Sequence, residues 1–499
     1  MIITLAKLLL EAVLPAPIAA LPVKNIAIDS RLVKPGDLFL AYPGTTMHGG
    51  DYVTIAIAQG ASAVLIDADY PNLPYLQEAI TAIPLFPVKD LAQQISAIAG
   101  RFYQQPSHHL NVIGVTGTNG KTSTTHFIAQ LLEQLGSTCG VMGTLGQGFR
   151  HNLQATGLTT SDARSIQCDL ARFVEQGAKA VAMEVSSHGL MQQRVADVRF
   201  AVAVFTNLTQ DHLDYHGTMQ AYGAAKARLF TQPDLRYAVI NTDDPFASEL
   251  IAVLAKDVES IGYSLQTPQK NSLQHHVWLE NIQYHAQGMQ ATLHSPWGQG
   301  ELVTGLIGRF NLANVLAAIS SVVLLGYLLP AVLAAAAHLM GVTGRMQRFG
   351  GKQQPMIVVD YAHTPDALAQ ALSSLQAHCK GRLFCIFGCG GDRDKSKRPL
   401  MAKAVAAHCD KIVVTNDNPR TEEPLAIITD ILSGLTPSAE VLVETDREKA
   451  IDLVLQQAGP NDVILVAGKG HEDYQIIGQQ RLPYSDIATV QRLLASKVR

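Results

Sequence analysis

The stretch GTNGKT, from Gly117 to Thr122, is the part of the chain best suited to bind a phosphate. An apolar run precedes it and a segment with helical periodicity follows it, which predicts a strand, a glycine-rich loop and a helix. Backbone N–H groups of such a loop surround phosphate oxygens, and the first turn of the helix adds its positive dipole. Lys121 would neutralise the terminal phosphates of a nucleotide and the Thr122 hydroxyl would bind Mg²⁺, although Val115 stands where the usual G-x-x-x-x-G-K-[ST] pattern has its first glycine. We interpret the stretch as a phosphate-binding loop; the alternative is a glycine-rich turn that only opens a helix.

Polar residues follow two later apolar runs, at the point where each predicted strand ends. AVAMEVSSHG brings Glu184 and His188 after its strand, and AVAVFTNLTQDHLDYHG brings Asp211 and His212. Ligands of open α/β sheets bind beyond the carboxyl ends of the strands, so these side chains are expected at one edge. Each of them alone is equally well explained as a helix cap or a loop contact. Together, beside a phosphate-binding loop, they predict a metal or substrate site.

The elements that must position these residues are strands and helices in alternation. Residues 1–105 mix the β-like runs NIAIDS, DLFLAY, SAVLIDA and PLFPV with helical pieces and carry no nucleotide loop. Residues 106–344 hold NVIGVTG, AVAMEVS, AVAVFTN and YAVINTD, whose apolar centres predict a parallel sheet covered on both faces, with an antiparallel excursion over residues 270–305. Residues 345–499 repeat the alternation with PMIVVDYA, RLFCIFGCGG, KIVVTND and DVILVAGKG. The fold class predicted is therefore α/β, in three domains.

Bulk composition excludes several classes of protein. A chain of 499 residues is too long for a single core, and its net charge of -4 gives no general attraction to nucleic acid or to an anionic membrane. The 6 cysteines form no C-x-x-C pair, which fits the reduced thiols of a cytoplasmic enzyme.

Two apolar stretches invite a membrane interpretation that the details oppose. Residues 310–344 contain no Asp, Glu, Lys or Arg, but Asn, Ser, Gly and Pro interrupt them. We predict two buried helices there, NLANVLAAISSVVLLG and LPAVLAAAAHLMG. The first 22 residues lack the basic start of a signal peptide, and Lys7 and Glu11 interrupt their apolar run, so we predict an N-terminal helix and no membrane span.

The motifs taken together resemble one family. GVTGTNGKTSTT, MEVSSHGL, FTNLTQDHLDYHG and AAKARLF closely resemble the central domain of the Mur ligases, which are ATP-dependent amide-forming ligases of peptidoglycan precursor synthesis. The resemblance continues through INTDDP, GRFNLANVLAA, GRMQRF, DYAHTPDAL, GCGGDRDKSKRPLM and GKGHE, and so covers essentially the whole chain. It implies an N-terminal UDP-binding α/β domain (1–105), a central P-loop parallel-sheet ATPase domain (106–344) and a C-terminal Rossmann-like domain that binds the amino acid (345–499). It also implies a cytoplasmic enzyme, which we expect to be a monomer.

The resemblance assigns ATP, Mg²⁺ and catalysis to particular positions. Its catalytic residues are Lys121, Lys226 and His212, and Lys226 matches the lysine that the family carbamylates to help hold a second Mg²⁺. The metal ligands it implies are Thr122, Glu184, His212 and the carbamate of Lys226. The ATP-binding residues it implies are Gly117, Thr118, Asn119, Gly120, Lys121, Thr122, Ser123, Asn311, Arg345 and Asp360.

The family also binds a UDP-linked muramoyl peptide, here UDP-N-acetylmuramoyl-L-alanyl-D-glutamate. The residues that match its contacts are Ser30, Thr159, Thr160, Ser186, Gln192 and Arg194. The stretch TTM, residues 45–47, departs from the family pattern, so no substrate contact is assigned to it.

The C-terminal domain of this family selects the amino acid that is added. Asp417, Asn418, Pro419 and Arg420 match the DNPR signature of the branch that adds meso-diaminopimelate, and lysine-adding relatives usually lack this arginine. The chemistry agrees, because diaminopimelate is a lysine with an extra distal carboxylate, which a guanidinium binds through two hydrogen bonds. The residues expected to bind it are Arg393, Asp417, Asn418, Pro419, Arg420, Gly468 and Glu472, with Glu472 receiving the distal ammonium.

The expected reaction passes through an acyl phosphate, which bulk water would hydrolyse, so we expect the C-terminal domain to close about a hinge at Gly344 and Arg345.

Three alternative functions remain open. A lysine-adding ligase is the nearest, and a folylpolyglutamate synthetase shares the ATP domain but not the N-terminal hundred residues or the DNPR loop. A P-loop nucleotide switch would need guanine specificity, and the chain contains no N-K-x-D stretch.

Overall fold

The structure is a computed structural model of the chain. It describes residues 2–10, 15–44, 47–268, 273–285, 288–351, 353–436 and 440–496. Thr45 and Thr46 of the TTM stretch, and Glu11 of the N-terminal run, lie outside the described residues.

The N-terminal part is a four-stranded parallel sheet with helices on it. Its order is β3-β4-β5-β6, and these strands are the runs predicted from the sequence. The apolar face of α5 covers the sheet, because Leu91, Ile95 and Ile98 recur at helical spacing and are buried. The elements, in chain order, are β1 Ile3–Thr4, α1 Leu5–Leu8, α2 Ala16–Ala19, β2 Pro22–Val23, β3 Asn25–Ala27, β4 Asp37–Ala41, α3 Val53–Ala58, β5 Ala63–Asp67, α4 Leu73–Ala79, β6 Leu85–Val88 and α5 Leu91–Phe102, with 3₁₀ turns at Ser30–Leu32, Gly49–Tyr52 and Pro106–His109.

The next part carries the phosphate-binding loop on a larger sheet of order β10-β9-β8-β11-β7-β12-β13-β14. The strands from β8 to β13 in this order are parallel and buried along most of their length, which confirms the prediction of a sheet covered on both faces. Its elements are β7 Asn111–Thr116, α6 Lys121–Gln134, β8 Cys139–Gly143, β9 Gly146–Phe149, β10 Asn152–Gln154, α7 Ala163–Glu175, β11 Ala180–Glu184, α8 Ser187–Met191, β12 Phe200–Phe205, α9 Leu213–His216, α10 Met219–Ala227, β13 Tyr237–Asn241, α11 Ala247–Val253 and β14 Glu259–Ser264.

An antiparallel meander and two apolar helices follow. The strands β15 His275–His285, β16 Gly288–Ser295 and β17 Gly298–Thr304 pair antiparallel, as predicted for this excursion. The charge-free stretch forms α12 Arg309–Leu324 and α13 Leu329–Ala336, whose apolar side chains are mostly buried. Within the described residues, no helix combines the length and the apolar character needed to cross a membrane.

The C-terminal part is a six-stranded sheet of order β18-β19-β23-β20-β21-β22, parallel except for β18. The loops after β19, β20, β21 and β23 emerge at one edge of this sheet, where the predicted amino-acid site lies. The elements are β18 Gln347–Gly350, β19 Met356–Asp360, α14 Pro365–Gln376, β20 Leu383–Phe387, α15 Lys397–Ala406, β21 Lys411–Val414, α16 Pro424–Leu432, β22 Val441–Val443, α17 Arg447–Gln457, β23 Val463–Ala467, β24 Tyr474–Ile477, β25 Gln480–Pro483 and α18 Asp486–Ser496.

Contacts divide the chain into two units, Met1–Gly262 and Tyr263–Arg499. The domain boundaries at residues 105 and 344 stay predictions.

Candidate active site

The loop between β7 and α6 is packed tightly on the end of β12. Gly117 has φ +149° and a Cβ at this position would collide with the Thr206 hydroxyl, while Gly120 has φ +86°. Both positions therefore require glycine. The Thr118 N–H donates to the Asn207 carbonyl at 2.8 Å, and the Asn119 N–H donates to the Asn207 side-chain oxygen at 2.9 Å. The end of β12 thus fixes the path of the phosphate-binding loop.

Two lysine ammonium groups meet at one carbonyl of this loop. Lys121 Nζ and Lys226 Nζ donate to the Gly117 carbonyl at 2.7 and 2.9 Å. Lys226 is only 1% exposed, and burial lowers its pKa well below the ordinary value, helped by the neighbouring Lys121 charge and opposed by Asp211. Its ammonium also lies 4.1 Å from the ring centre of Tyr222. Lys121 is thus the cationic group that this loop offers to a phosphate anion, whereas the surroundings of Lys226 disfavour its charged form.

Glu184 connects the end of β11 to the first turn of α6. Its carboxylate accepts hydrogen bonds from the Thr122 hydroxyl at 3.0 Å and from the Thr144 N–H at 2.8 Å, and the residue is 1% exposed. Ser123 is buried in the same turn of the helix. A carboxylate beside a hydroxyl is the hard-oxygen donor set that Mg²⁺ prefers, so Thr122 and Glu184 fit a magnesium ion.

His212 lies among aromatic rings near the same sheet edge. Its ring is centred 4.9 Å from that of His188 and 6.1 Å from that of Tyr222. Burial lowers the pKa of His188, and the His212 and His216 charges lower it further. In the described part of the chain, no three His, Cys, Asp or Glu side chains form a complete metal-binding group.

The predicted contacts to the muramoyl peptide form one hydrogen-bond network. The Thr160 hydroxyl donates to the Glu184 carbonyl at 2.9 Å and accepts from the Ser186 N–H at 3.0 Å. The Arg194 guanidinium donates to the Thr160 carbonyl and, at 2.6 Å, to the Gln192 side-chain oxygen.

Two further residues were predicted for the same substrate. The hydroxyl groups of Thr159 and Thr144 lie 3.1 Å apart, and Thr144 in turn donates to the Glu184 carboxylate. Ser30 begins a 3₁₀ turn in the N-terminal part, and among the described residues no side-chain hydrogen bond joins it to the network. The structure therefore brings together five of the six predicted residues.

The second unit holds the other predicted ATP residues. Asp360 ends β19, and its carboxylate accepts from the N–H groups of Met346 at 2.7 Å and Ala362 at 2.8 Å. The Arg345 guanidinium lies 4.3 Å from the ring centre of Tyr361. Asn311 is buried in the first turn of α12 and donates to the Ile307 carbonyl at 2.8 Å. Asp360 therefore fixes the backbone that follows the predicted hinge.

The two predicted arginines of the amino-acid site are neighbours. Gly390 lies against the guanidinium of Arg420 and the side chain of Arg393. Arg420 has φ +52° and donates from Nη1 to the Gly391 carbonyl at 2.8 Å, while the Gly391 N–H donates to the Asn418 carbonyl at 2.9 Å. The Pro419 carbonyl accepts from the Glu422 N–H at 3.2 Å, which closes the DNPR turn.

Two predicted acidic residues lie on the neighbouring loops of the same sheet edge. The Gly468 N–H donates to the Asp360 carbonyl at 3.1 Å, and Asp417 packs against Gly468 so closely that a Cβ there would lie 2.7 Å from a carboxylate oxygen. Glu472 accepts from the Asn418 amide at 3.0 Å. The predicted diaminopimelate residues therefore lie on the loops that follow the strands at one edge of the C-terminal sheet, and the Glu472 carboxylate there contacts the Lys469 ammonium at 3.0 Å.

Sequence reasoning missed several residues that hold this site. Tyr222 contacts Thr118 of the phosphate-binding loop, Thr144 donates to Glu184, and Lys469 is fully buried beside Glu472. Arg398 is also fully buried and donates two hydrogen bonds to Glu422, at 2.8 and 3.0 Å. The sequence gave one signal for two of these residues: Lys469 lies inside the motif GKGHE and Arg398 inside GDRDKSKR. Nothing else in a sequence distinguishes a buried charged residue from an exposed one.

Family models match most of the chain. The Mur ligase middle domain matches residues 115–322, the Mur ligase glutamate ligase domain matches residues 344–470, and the Mur ligase family catalytic domain matches residues 22–103. The chain belongs to the Mur ligase family.

Relatives of the chain share nearly its whole length. UDP-N-acetylmuramoyl-L-alanyl-D-glutamate--2,6-diaminopimelate ligase of Ectopseudomonas mendocina is 48% identical over 98% of both chains, and that of Pseudomonas aeruginosa is 49% identical over 95% of both. A solved structure of UDP-N-acetylmuramoyl-L-alanyl-D-glutamate--2,6-diaminopimelate ligase aligns with a TM-score of 0.75 at 34% identity and covers 100% of both chains. The predicted three-domain α/β Mur ligase fold is confirmed.

Proposed function

We propose that this Mur ligase joins meso-diaminopimelate to the D-glutamate of UDP-N-acetylmuramoyl-L-alanyl-D-glutamate and converts ATP to ADP and phosphate. The observation that carries the proposal is that the loops at one edge of the C-terminal sheet hold Arg393 and Arg420 beside Gly390, Asp417 beside Gly468, and Glu472 beside Asn418. The distal end of diaminopimelate carries one carboxylate and one ammonium, and it requires both kinds of partner. The names of the close relatives support the same substrate.

The first chemical step makes a carboxylate reactive. The γ-carboxylate of D-glutamate attacks the γ-phosphorus of ATP, the bond to the ADP oxygen breaks, and an acyl phosphate forms. Lys121 and the backbone N–H groups of the phosphate-binding loop hold the transferring phosphoryl group and offset its charge. Thr160, Ser186 and Arg194, which hydrogen bonds join into one network, would hold the peptide end of the substrate against this loop.

The second step forms the amide. An uncharged amine of diaminopimelate attacks the acyl carbon, the carbon–oxygen bond to phosphate breaks, and the amine loses a proton. A free carboxylate is unreactive toward amines because oxide is too poor a leaving group, whereas phosphate leaves readily. Arg393, Arg420 and Glu472 orient the incoming amino acid.

Magnesium and a modified lysine complete the proposal. Thr122 and Glu184 would hold Mg²⁺, which supplies positive charge to the phosphates, and His212 is the further ligand implied by the family. Lys226 would carry a carbamate, since its amine is buried beside the ammonium of Lys121 and is the group whose neutral form reacts with carbon dioxide. The enzyme is proposed to act as a cytoplasmic monomer.

The alternative amino acid is lysine, whose distal end carries an ammonium alone. A site built for the distal carboxylate would leave its guanidinium without an anion when lysine is bound, which is unfavourable when the site closes. Arg393 and Arg420 therefore favour diaminopimelate.

An amino-acid panel tests the proposal. The purified chain is incubated with ATP, Mg²⁺ and the nucleotide substrate, together with meso-diaminopimelate, L-lysine or no amino acid, and the nucleotide product is identified by mass. We expect ligation of diaminopimelate at a kcat/KM far above that of lysine. Equal ligation of lysine would contradict the proposed substrate, and no ligation of either would contradict the proposed reaction.

A further inference from the structure

Lys469 is a fully buried lysine behind the amino-acid site. Its side chain is 0% exposed, and Nζ donates to Glu472 Oε2 at 3.0 Å and to Asn418 Oδ1 at 3.0 Å. A buried ammonium is costly unless an anion and hydrogen-bond acceptors surround it. Lys469 has both, and a residue with this cost calls for a role beyond packing.

The contacts of Lys469 determine how the Asn418 amide is oriented. Asn418 Oδ1 accepts from Lys469 Nζ and also from the Ile476 N–H at 2.9 Å. With two donors at this oxygen, the amide nitrogen must face the other way, and it donates to Glu472 Oε2 at 3.0 Å. Lys469 and Asn418 therefore form a closed triangle with Glu472.

The triangle restrains one carboxylate oxygen of Glu472 and not the other. Among the described residues, both side-chain donors that reach this carboxylate bind Oε2. Oε1 is thereby left as the oxygen that an incoming ammonium can use. A carboxylate held at one oxygen keeps the other in a fixed place, which lowers the entropic cost of binding a ligand.

Two tyrosines show that the triangle belongs to the same charged cluster as the DNPR turn. Burial raises the pKa of Tyr474, and the carboxylates of Glu472 and Asp417 add to the rise while Arg420 opposes it. Burial also raises the pKa of Tyr361, again with contributions from Glu472 and Asp417. The ammonium of Lys469 lies 5.5 Å from the ring centre of Tyr474. The triangle is therefore within electrostatic reach of the predicted carboxylate and ammonium subsites.

We infer that Lys469 is a positioning residue for amino-acid selection: with Asn418 it holds Glu472 so that the free carboxylate oxygen receives the distal ammonium of the amino acid. The inference rests on the proposed function, which assigns diaminopimelate to this site. Lys469 does not contact the amino acid in this account; it acts through Glu472.

The test compares meso-diaminopimelate with 2-aminopimelate, which keeps the distal carboxylate but lacks the distal amine. The variants are Lys469→Met, Glu472→Gln and the double variant, with exposed Lys403→Met as the matched control. KM and kcat are measured for both amino acids and KM for ATP, and thermal unfolding checks that each variant folds.

We expect Lys469→Met to raise KM for diaminopimelate about tenfold, as for loss of one charge-assisted hydrogen bond, and to change KM for 2-aminopimelate less than about twofold. Glu472→Gln should likewise raise KM for diaminopimelate and leave KM for 2-aminopimelate nearly unchanged. The double variant should have a KM for diaminopimelate no higher than that of Glu472→Gln, because Lys469 acts through Glu472. KM for ATP and the Lys403→Met control should not change.

Three results would overturn the inference: an unchanged KM for diaminopimelate, an equal rise for both amino acids, or a double variant clearly worse than Glu472→Gln. If Lys469→Met does not fold, the comparison of Glu472→Gln with the double variant decides, since removal of both charges leaves no buried ion alone. Failure of the unmodified chain to ligate diaminopimelate would instead overturn the proposed function, and this inference with it.

Discussion

Two lysines among the described residues are almost completely buried, and their partners give them different chemistry. Lys226 faces a carbonyl and the ammonium of Lys121, whereas Lys469 faces the carboxylate of Glu472. Burial beside another cation disfavours the ammonium form of a lysine. A carboxylate partner instead compensates for the cost of burying the ammonium. Lys226 is thus suited to modification and Lys469 to holding a neighbouring group in place.

The proposed carbamate on Lys226 has a direct test. Lys226→Ala should lose most of the ligase activity, because a carboxylate-like group that helps to hold the metal is removed, and added short carboxylates such as acetate should restore part of it. Incubation of the unmodified chain with carbon-13 bicarbonate should also give a carbamate signal by NMR that Lys226→Ala lacks.

Exposed Lys256→Ala serves as the control for Lys226→Ala, and both readouts should stay unchanged in it. Full activity of Lys226→Ala, or the same carbamate signal in that variant, would remove the modification from the account.

Arg420 tests amino-acid recognition. Arg420→Lys keeps the charge but loses the planar pair of donors that binds a carboxylate, so KM for diaminopimelate should rise about tenfold or more while KM for ATP stays constant. Arg492→Lys, on an exposed ion pair with Glu448, is the matched control. An equal rise in both constants would show that Arg420 does not recognise the amino acid.

At the scale of elements, a buried ion pair joins the ends of several elements near the proposed amino-acid site. Arg447 at the start of α17 and Asp486 at the start of α18 have side chains that are 0% exposed and lie 2.8 Å apart. Arg447 also donates to the Ala467 carbonyl at the end of β23, at 2.7 Å. Burial alone would lower the pKa of Arg447, but the Asp486 charge and hydrogen bonds raise it. The pair thus anchors the strand end that precedes Gly468.

Breaking this pair should destabilise the C-terminal sheet. Arg447→Met should lower the free energy of unfolding by about 3–5 kcal/mol, because Asp486 is left buried without a partner. The double variant Arg447→Met with Asp486→Leu should lose less. Chemical denaturation measures both, and a cost below about 1 kcal/mol for the single variant, as for exposed ion pairs, would contradict this account.

The loops after β20 and β21 are joined by Glu422, whose stabilising effect depends on pH. Hydrogen bonds from Arg398, together with the Asp392 N–H and Lys395, lower the pKa of Glu422 from 4.5 to about 2. A carboxyl whose pKa is lower in the folded state stabilises the fold. This stabilisation is fully present when the pH is above the carboxyl's ordinary pKa, and it is lost as the pH falls toward 2.

Glu422→Gln should therefore destabilise the protein most above pH 4.5, and the difference from the unmodified chain should shrink toward pH 2. Urea unfolding across this range measures the difference. A difference that stays constant with pH would show that the carboxylate charge of Glu422 is not responsible.

At the scale of the whole molecule, the sequence predicted the order of strands and helices well because it depends on local patterns. Apolar runs that end in polar residues identified β7, β11, β12 and β13, and the same pattern identified the C-terminal strands. The phosphate-binding loop was recognisable because its glycines lie within a few residues of Lys121. Local spacing therefore carried most of the fold and the centre of the candidate site.

The residues that support the site were not predictable in this way. Arg447 and Asp486 are 39 positions apart, and Lys469 and Asn418 are 51 apart. Such pairs form only when separate strands bring their ends together, and an isolated Lys or Arg in a sequence is ordinarily exposed. Three-dimensional packing was needed to distinguish these residues from surface charges.

Transfer of oxygen-18 tests the central claim most directly. The nucleotide substrate is prepared with oxygen-18 in the γ-carboxylate of D-glutamate and incubated with the chain, ATP and meso-diaminopimelate. Because the carboxylate oxygen that attacks phosphorus leaves with the phosphate, each molecule of amide product should be matched by one labelled phosphate when both carboxylate oxygens carry the label. Amide formation with unlabelled phosphate, or ADP release without any amide, would contradict the acyl-phosphate ligation of diaminopimelate.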